Sequence, residues 1–164
     1  MKLRSRLSMD REAPGTFWVE DAAGAILYGP VRARGEADNA NAAAQDNVVE
    51  DPTRVGGDHP AGLYRVTEVV TIETSDMPRL HTYGPYFLRL DPQTGEAFRA
   101  KQQGREGIGI HGGAAGPGNT LRATFGCLRL DSASIEVVAQ LVEQEFIQQF
   151  IVLYEATVEP LAVV

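Results

Sequence analysis

The chain has 164 residues, 43% hydrophobic and 23% charged, the balance of an ordinary folded protein about one domain long. A net charge of −7 excludes a general nucleic-acid binder, and no apolar run approaches the ~20 residues of a membrane-spanning helix, so neither nucleic-acid binding nor membrane insertion is expected. A single cysteine, Cys127, leaves no disulfide framework within the chain.

At the amino terminus Leu3, Leu7 and Met9 alternate with Lys2, Arg4, Arg6 and Ser8, the period of a half-buried strand. The basic residues invite comparison with a secretion signal, but the uninterrupted apolar stretch is missing, so we read a first strand here. Segments 17–20 and 25–28 flank turn residues 21–24 and predict a hairpin. Residues 33–60 form a polar stretch rich in Ala, Asn, Asp and Gly, without periodicity, and are expected to be a functional or mobile loop. Residues 63–72, rich in Val, Thr, Ile and Tyr, predict a strand. Segments 86–90 and 97–100 predict a second hairpin across the turn-forming residues 91–96. Residues 107–110 form a short apolar strand ending at His111, and a glycine-rich loop follows over 112–119.

Asp131 or Ser132 can cap a helix over about 132–148, with Ile135, Val138, Leu141, Val142 and Phe146 on its apolar face. Segment 150–158 predicts the closing strand. There is no internal repeat. The expectation is one mostly β domain over residues 1–164 with one packed helix.

Glycines 107, 109 and 112 match the G-x-G-x-x-G spacing of a dinucleotide site, with Asp131 placed suitably downstream. That motif needs a helix to open at its end, and Gly113, Gly116, Pro117 and Gly118 cannot form one. The three histidines, His59, His81 and His111, stand at no metal-ligand spacing, so neither metal nor other cofactor is expected.

His111 at a strand end and Cys127 after Gly126 could form a base–nucleophile pair, the histidine promoting the thiolate and the glycine letting backbone N–H groups approach an oxyanion. Such pairing lowers a thiol pKa, so fast modification at neutral pH is expected. Taken alone, these residues fit a buried structural thiol and a core histidine better. Around them lie five basic residues (Arg99, Lys101, Arg105, Arg122, Arg129) and one acid, Glu106, an island able to steer an anionic substrate.

Ile110-His111-Gly112-Gly113, followed by Thr124-x-Gly126-Cys127-Leu128-Arg129-Leu130, resembles the signature of the L,D-transpeptidase catalytic domains (YkuD-like) of peptidoglycan metabolism. Pro60-Ala61-Gly62-Leu63-Tyr64 resembles the segment that opens a strand in that family. The likeness covers about 60–160, with 1–59 matching only as extra strands and a loop.

The resemblance implies a β-sandwich with a packed helix and peptidoglycan stem peptides as the partner, which would place the reaction in the periplasm or cell wall. It further implies that Cys127 forms a thioester, His111 is the base and the Gly112 carbonyl orients it. Backbone N–H groups of Phe125, Gly126 and Cys127 would hold the oxyanion, with Thr124, Arg129 and Tyr86 completing the substrate side. Arg129 would support the loop or neutralise a substrate carboxylate, and Tyr83 and Tyr86 could form a flap, although Tyr86 also suits the core.

Two features depart from the family pattern: Phe125 stands where many members carry a second histidine, and the His111–Cys127 segment is short. The same residues would serve an L,D-carboxypeptidase or a cell-wall-targeting effector. A peptidoglycan-binding module without turnover would keep the fold alone.

Overall fold

The computed structural model describes residues 1–11 and 13–155. Strand β1 (Lys2–Ser8) follows its alternation: Leu3, Ser5 and Leu7 are buried, while Lys2, Arg4 and Arg6 reach partly into solvent. β2 (Gly15–Glu20) and β3 (Ile26–Ala33) form the expected hairpin, its turn held by the Asp21 carboxylate accepting from the N–H groups of Ala23 and Ala25. β4 (Gly62–Thr71) and β5 (Tyr86–Pro92) pair antiparallel, and β6 (Gly109–His111) pairs with β5. The two-residue β7 (Leu128–Arg129) runs parallel to β6. The final strand β8 (Gln149–Glu155) lies between β1 and β4; residues 156–158 of the predicted strand fall outside the described residues.

These strands make one eight-stranded sheet in the order β3-β2-β1-β8-β4-β5-β6-β7. Its two ends meet. Arg34, just after β3, and Arg129 of β7 exchange backbone hydrogen bonds of 2.9 and 2.8 Å, and Ala37 bridges Thr124. The sheet therefore curls almost into a barrel, and the two layers of the expected sandwich are halves of that one sheet. Leu3, Phe17 and Val19 from one half join Tyr64, Leu88, Ile110, Leu128 and Phe150 in a single core.

Four α-helices accompany the sheet among the described residues. α4 (Ser132–Glu145) is the expected one: the Asp131 carboxylate accepts from Ser134 N–H at 2.8 Å, and Ile135, Val138, Ala139 and Val142 are buried. It ends earlier than the apolar spacing predicts. Phe146 adopts a left-handed backbone (φ 50°), which turns its ring out to 83% exposure, and Ile147 takes the buried place instead.

The predicted strand over 97–100 is instead part of helix α3 (Gly95–Gln102), with Ala97 and Ala100 buried on one face and Phe98, Arg99 and Lys101 outside. Glu, Ala, Arg, Lys and Gln all favour helix, and a burial spacing of three residues suits a helix, not a strand.

α1 (Asn39–Ala44) and α2 (Met77–Tyr83) are each capped by an aspartate, Asp38 and Asp76, whose side chains accept from Asn41 and Arg79 N–H. The polar stretch 33–60 is ordered by hydrogen bonds within it and from Arg11. The Arg11 guanidinium grips Asp58 with two bonds of 2.8 and 2.9 Å, and the buried Asn47 bonds to the backbone of Asp51 in both directions.

Candidate active site

Two short strands set the centre of the site. His111 ends β6, in register with Phe87 of β5 on one side and Arg129 of β7 on the other. Cys127 immediately precedes β7, so the parallel pairing carries it beside Gly109, and its thiol donates to the Gly107 carbonyl at 3.5 Å. Gly109 cannot carry a side chain, because a Cβ would strike the Phe87 ring. Cys127 and His111 both line a cavity of about 630 Å³, together with Tyr83, Phe87, Thr124, Phe125, Arg122 and Arg129.

His111 is 2% exposed. Its ring stacks on Phe87 (5.8 Å, 12°) and meets Tyr83 edge-on (5.1 Å, 85°). Nδ1 lies 2.8 Å from the Gly112 carbonyl, as the resemblance implies. A carbonyl can only accept, so Nδ1 carries the proton and Nε2 presents a lone pair. Burial, more than the charge of Arg129, pushes the imidazole pKa down to about 4, against the opposing pull of the Gly112 bond. Burial likewise pushes the Cys127 thiol up to about 11, against the hydrogen bond from Gly109 and the charge of Arg105. Both shifts favour the uncharged forms, not the expected thiolate, because desolvation of the buried imidazole and the half-buried thiol disfavours their charged states.

The loop before Cys127 is a turn held from inside. Thr124 Oγ1 donates to the Cys127 carbonyl at 2.8 Å and accepts the Gly126 N–H at 3.0 Å. Thr124 therefore shapes the loop, and the Gly126 N–H is already committed to its hydroxyl. Gly126 has φ 101°, and a side chain there would collide with the Arg105 guanidinium and the Gly57 carbonyl. Phe125 is 74% exposed at the cavity edge, and Tyr86 packs against the core without lining the cavity, where Tyr83 and Phe87 stand instead. Arg129 is buried and donates to the Ala114 carbonyl at 3.0 Å while also facing the cavity.

The basic island disperses in the fold. Arg99 and Lys101 pair with Glu96 and Asp91 away from the cavity, and only Arg122 and Arg129 reach it. Arg105 is 4% exposed and donates to four carbonyls: Pro52, Gly57 (2.8 Å), Asp58 (2.8 Å) and Gly126 (3.2 Å). His59, fully buried against Tyr64 and Phe150, places Nδ1 3.1 Å from the same Gly126 carbonyl. A second histidine does stand at the Cys127 loop, then, but behind it and from a distant part of the chain. The sequence marks Arg105 only as one member of the basic island, and His59 only by its preceding the Pro60-Ala61-Gly62 segment.

Helix α2 is tied to the glycine-rich loop. Its Tyr83 and His81 carbonyls accept the N–H groups of Gly112 and Ala114, both at 2.8 Å. His81 lines the cavity and lies 3.5 Å from Arg122. Among the described residues no three His, Cys, Asp or Glu side chains converge as a metal site requires.

The sequence model of the YkuD family, the L,D-transpeptidase catalytic domain, matches residues 38–153, and this chain belongs to that family. The match begins upstream of the 60–160 stretch, taking in most of the polar segment. The L,D-transpeptidase (Yku) from Stackebrandtia nassauensis superposes with a TM-score of 0.55 at 12% identity, over 96% of this chain and 58% of that one. Bd1075 of Bdellovibrio bacteriovorus gives 0.51 at 12% identity, over 93% and 48%. At such identity the likeness concerns the fold alone, and the chain spans about half the length of these two structures. No curated protein matches it.

Proposed function

We propose that the protein is a cysteine acyltransferase acting on peptidoglycan stem peptides, with Cys127 as nucleophile and His111 as base. The carrying observation is the 2.8 Å contact of His111 Nδ1 with the Gly112 carbonyl, in a cavity His111 shares with the thiol. That bond gives the imidazole the tautomer a base needs, in the place an acidic residue holds in a hydrolase triad. Family membership supplies the substrate class.

Attack of the sulfur on the carbonyl before a terminal D-alanine forms the S–C bond, while Nε2 takes the thiol proton. The N–H groups of Phe125 and Cys127 receive the oxyanion. Collapse breaks the C–N bond, and His111 returns the proton to the departing amine. The thioester then passes to an acceptor amine, giving a 3→3 cross-link, or to water, giving a trimmed tripeptide. With both partners neutral at rest, charge develops only as the acyl bond forms, so proton transfer is coupled to attack. Arg122 and Arg129 supply positive charge for a stem-peptide carboxylate.

Incubation with disaccharide-tetrapeptide and mass analysis of the products tests this reading. Dimers lacking one D-alanine mean transpeptidation and tripeptides mean hydrolysis. Unchanged substrate means a binding module and defeats the proposal.

A further inference from the structure

Building on the reading of Cys127 as the nucleophile, we infer that His59 and Arg105 are positioning residues that aim the Cys127 N–H into the cavity by gripping the Gly126 carbonyl from behind. The argument is geometric. The Gly126 C=O and the Cys127 N–H belong to one peptide unit, which is planar and trans, so the two groups point in opposite directions. His59 Nδ1 and Arg105 Nη2 hold the oxygen at 3.1 and 3.2 Å on the buried side. Neither side chain lines the cavity, whereas Phe125 and Cys127 do. Fixing the oxygen inward therefore directs the N–H outward, where a tetrahedral oxyanion would form. Two donors on one carbonyl also polarise the peptide and strengthen its N–H as a donor.

Four further observations agree. Gly126, at φ 101°, leaves no room for a Cβ because the guanidinium lies flush against it. His59 is neutral, since burial and the neighbouring Arg105 push it down to about 3, so its single ring proton serves Nδ1. Its Nε2 is buried without a partner, a cost that phenylalanine would not carry in the Tyr64–Phe150 cluster. The histidine therefore contributes something through Nδ1 that its packing does not require. Arg105 also bonds the Pro52, Gly57 and Asp58 carbonyls, which joins the nucleophile loop to the polar segment.

Two reactions of Cys127 separate this role from plain structural support. p-Nitrophenyl acetate acetylates the sulfur through an oxyanion, releasing p-nitrophenolate, while the thiol proton leaves through His111. Iodoacetamide alkylates the sulfur by displacing iodide, with no oxyanion. For His59→Phe the nitrophenolate burst should slow at least ~10-fold, with alkylation at pH 9 changing less than ~3-fold. His59→Asn, which keeps a donor near Nδ1, should recover the burst to within ~3-fold of the natural chain. Melting followed by circular dichroism reports folding. Should His59→Phe unfold, Arg105→Lys carries the same comparison with the same expected split.

A folded variant with an unchanged burst, or equal loss in both reactions, overturns the inference. So does a natural chain whose burst is no larger than that of Cys127→Ala. A Cys127-dependent burst without D-alanine release from disaccharide-tetrapeptide defeats the peptidoglycan reading and leaves this one standing.

Discussion

At His111 and Cys127, the proposed catalytic pair, burial favours the uncharged resting state. Each alone is driven toward its uncharged form, to about 4 and about 11. Iodoacetamide should therefore alkylate Cys127 at pH 7 at least ~10-fold more slowly than a free cysteine, whose pKa is near 8.5. Faster alkylation would mean a preformed ion pair. His111→Ala should lower turnover on disaccharide-tetrapeptide by ~10²–10⁴-fold, the worth of a positioned base. His81→Ala should cost far less, because that side chain is exposed and its 3.5 Å contact with Arg122 is a weak one. Phe125→His should leave melting unchanged, since the ring is 74% exposed, and alter acylation by no more than about tenfold, or ~1.4 kcal/mol of barrier, because the backbone N–H stays in place.

Among the elements, α4 and the glycine-rich loop constrain one another. A Cβ on Gly112 would lie 2.9 Å from Ile135 Cγ2 and 3.0 Å from Ser132 Cα, both in the first turn of α4. The helix is capped and packed, so the loop must move instead, and with it the carbonyl that orients His111. Gly112→Ala should thus destabilise the protein by ~1–3 kcal/mol, as overpacking does, and lower kcat beyond what the melting shift explains. A melting point and kcat equal to those of the natural chain would show that the loop yields freely. The α3 segment resembles the second arm of a hairpin because turn-forming residues 91–96 follow strand segment 86–90, although its own residues favour helix. The seven residues of α2 hold too little periodicity to be legible in the sequence.

For the whole molecule, the buried histidines set the acid limit. His59 and His111 titrate near 6.5 when unfolded and at about 3 and about 4 when folded, so the unfolded chain binds more protons in that interval. The stability they leave intact above pH 6.5 is lost as pH falls toward 4, at up to ~1.4 kcal/mol per pH unit for each residue. Urea midpoints measured from pH 7 to pH 4 should fall accordingly, and His59→Asn should reduce the slope by about half. A flat profile above pH 5 would show that the histidines are hydrated.

The sequence by itself determined the strands whose side chains alternate, the capped helix after Asp131 and the His111-Gly112 and Gly126-Cys127 segments, because each is a local pattern written within a few residues. It also placed Gly112 as the partner of His111, through family resemblance. Only the tertiary structure decided that the ends of one sheet meet at Arg34 and Arg129, that the Gly126 N–H belongs to Thr124, and that His59 and Arg105 stand behind the Cys127 loop. These contacts join residues far apart in the chain. Their energy depends on desolvation and on which carbonyl a donor reaches, and neither quantity exists until the sheet has curled around its core.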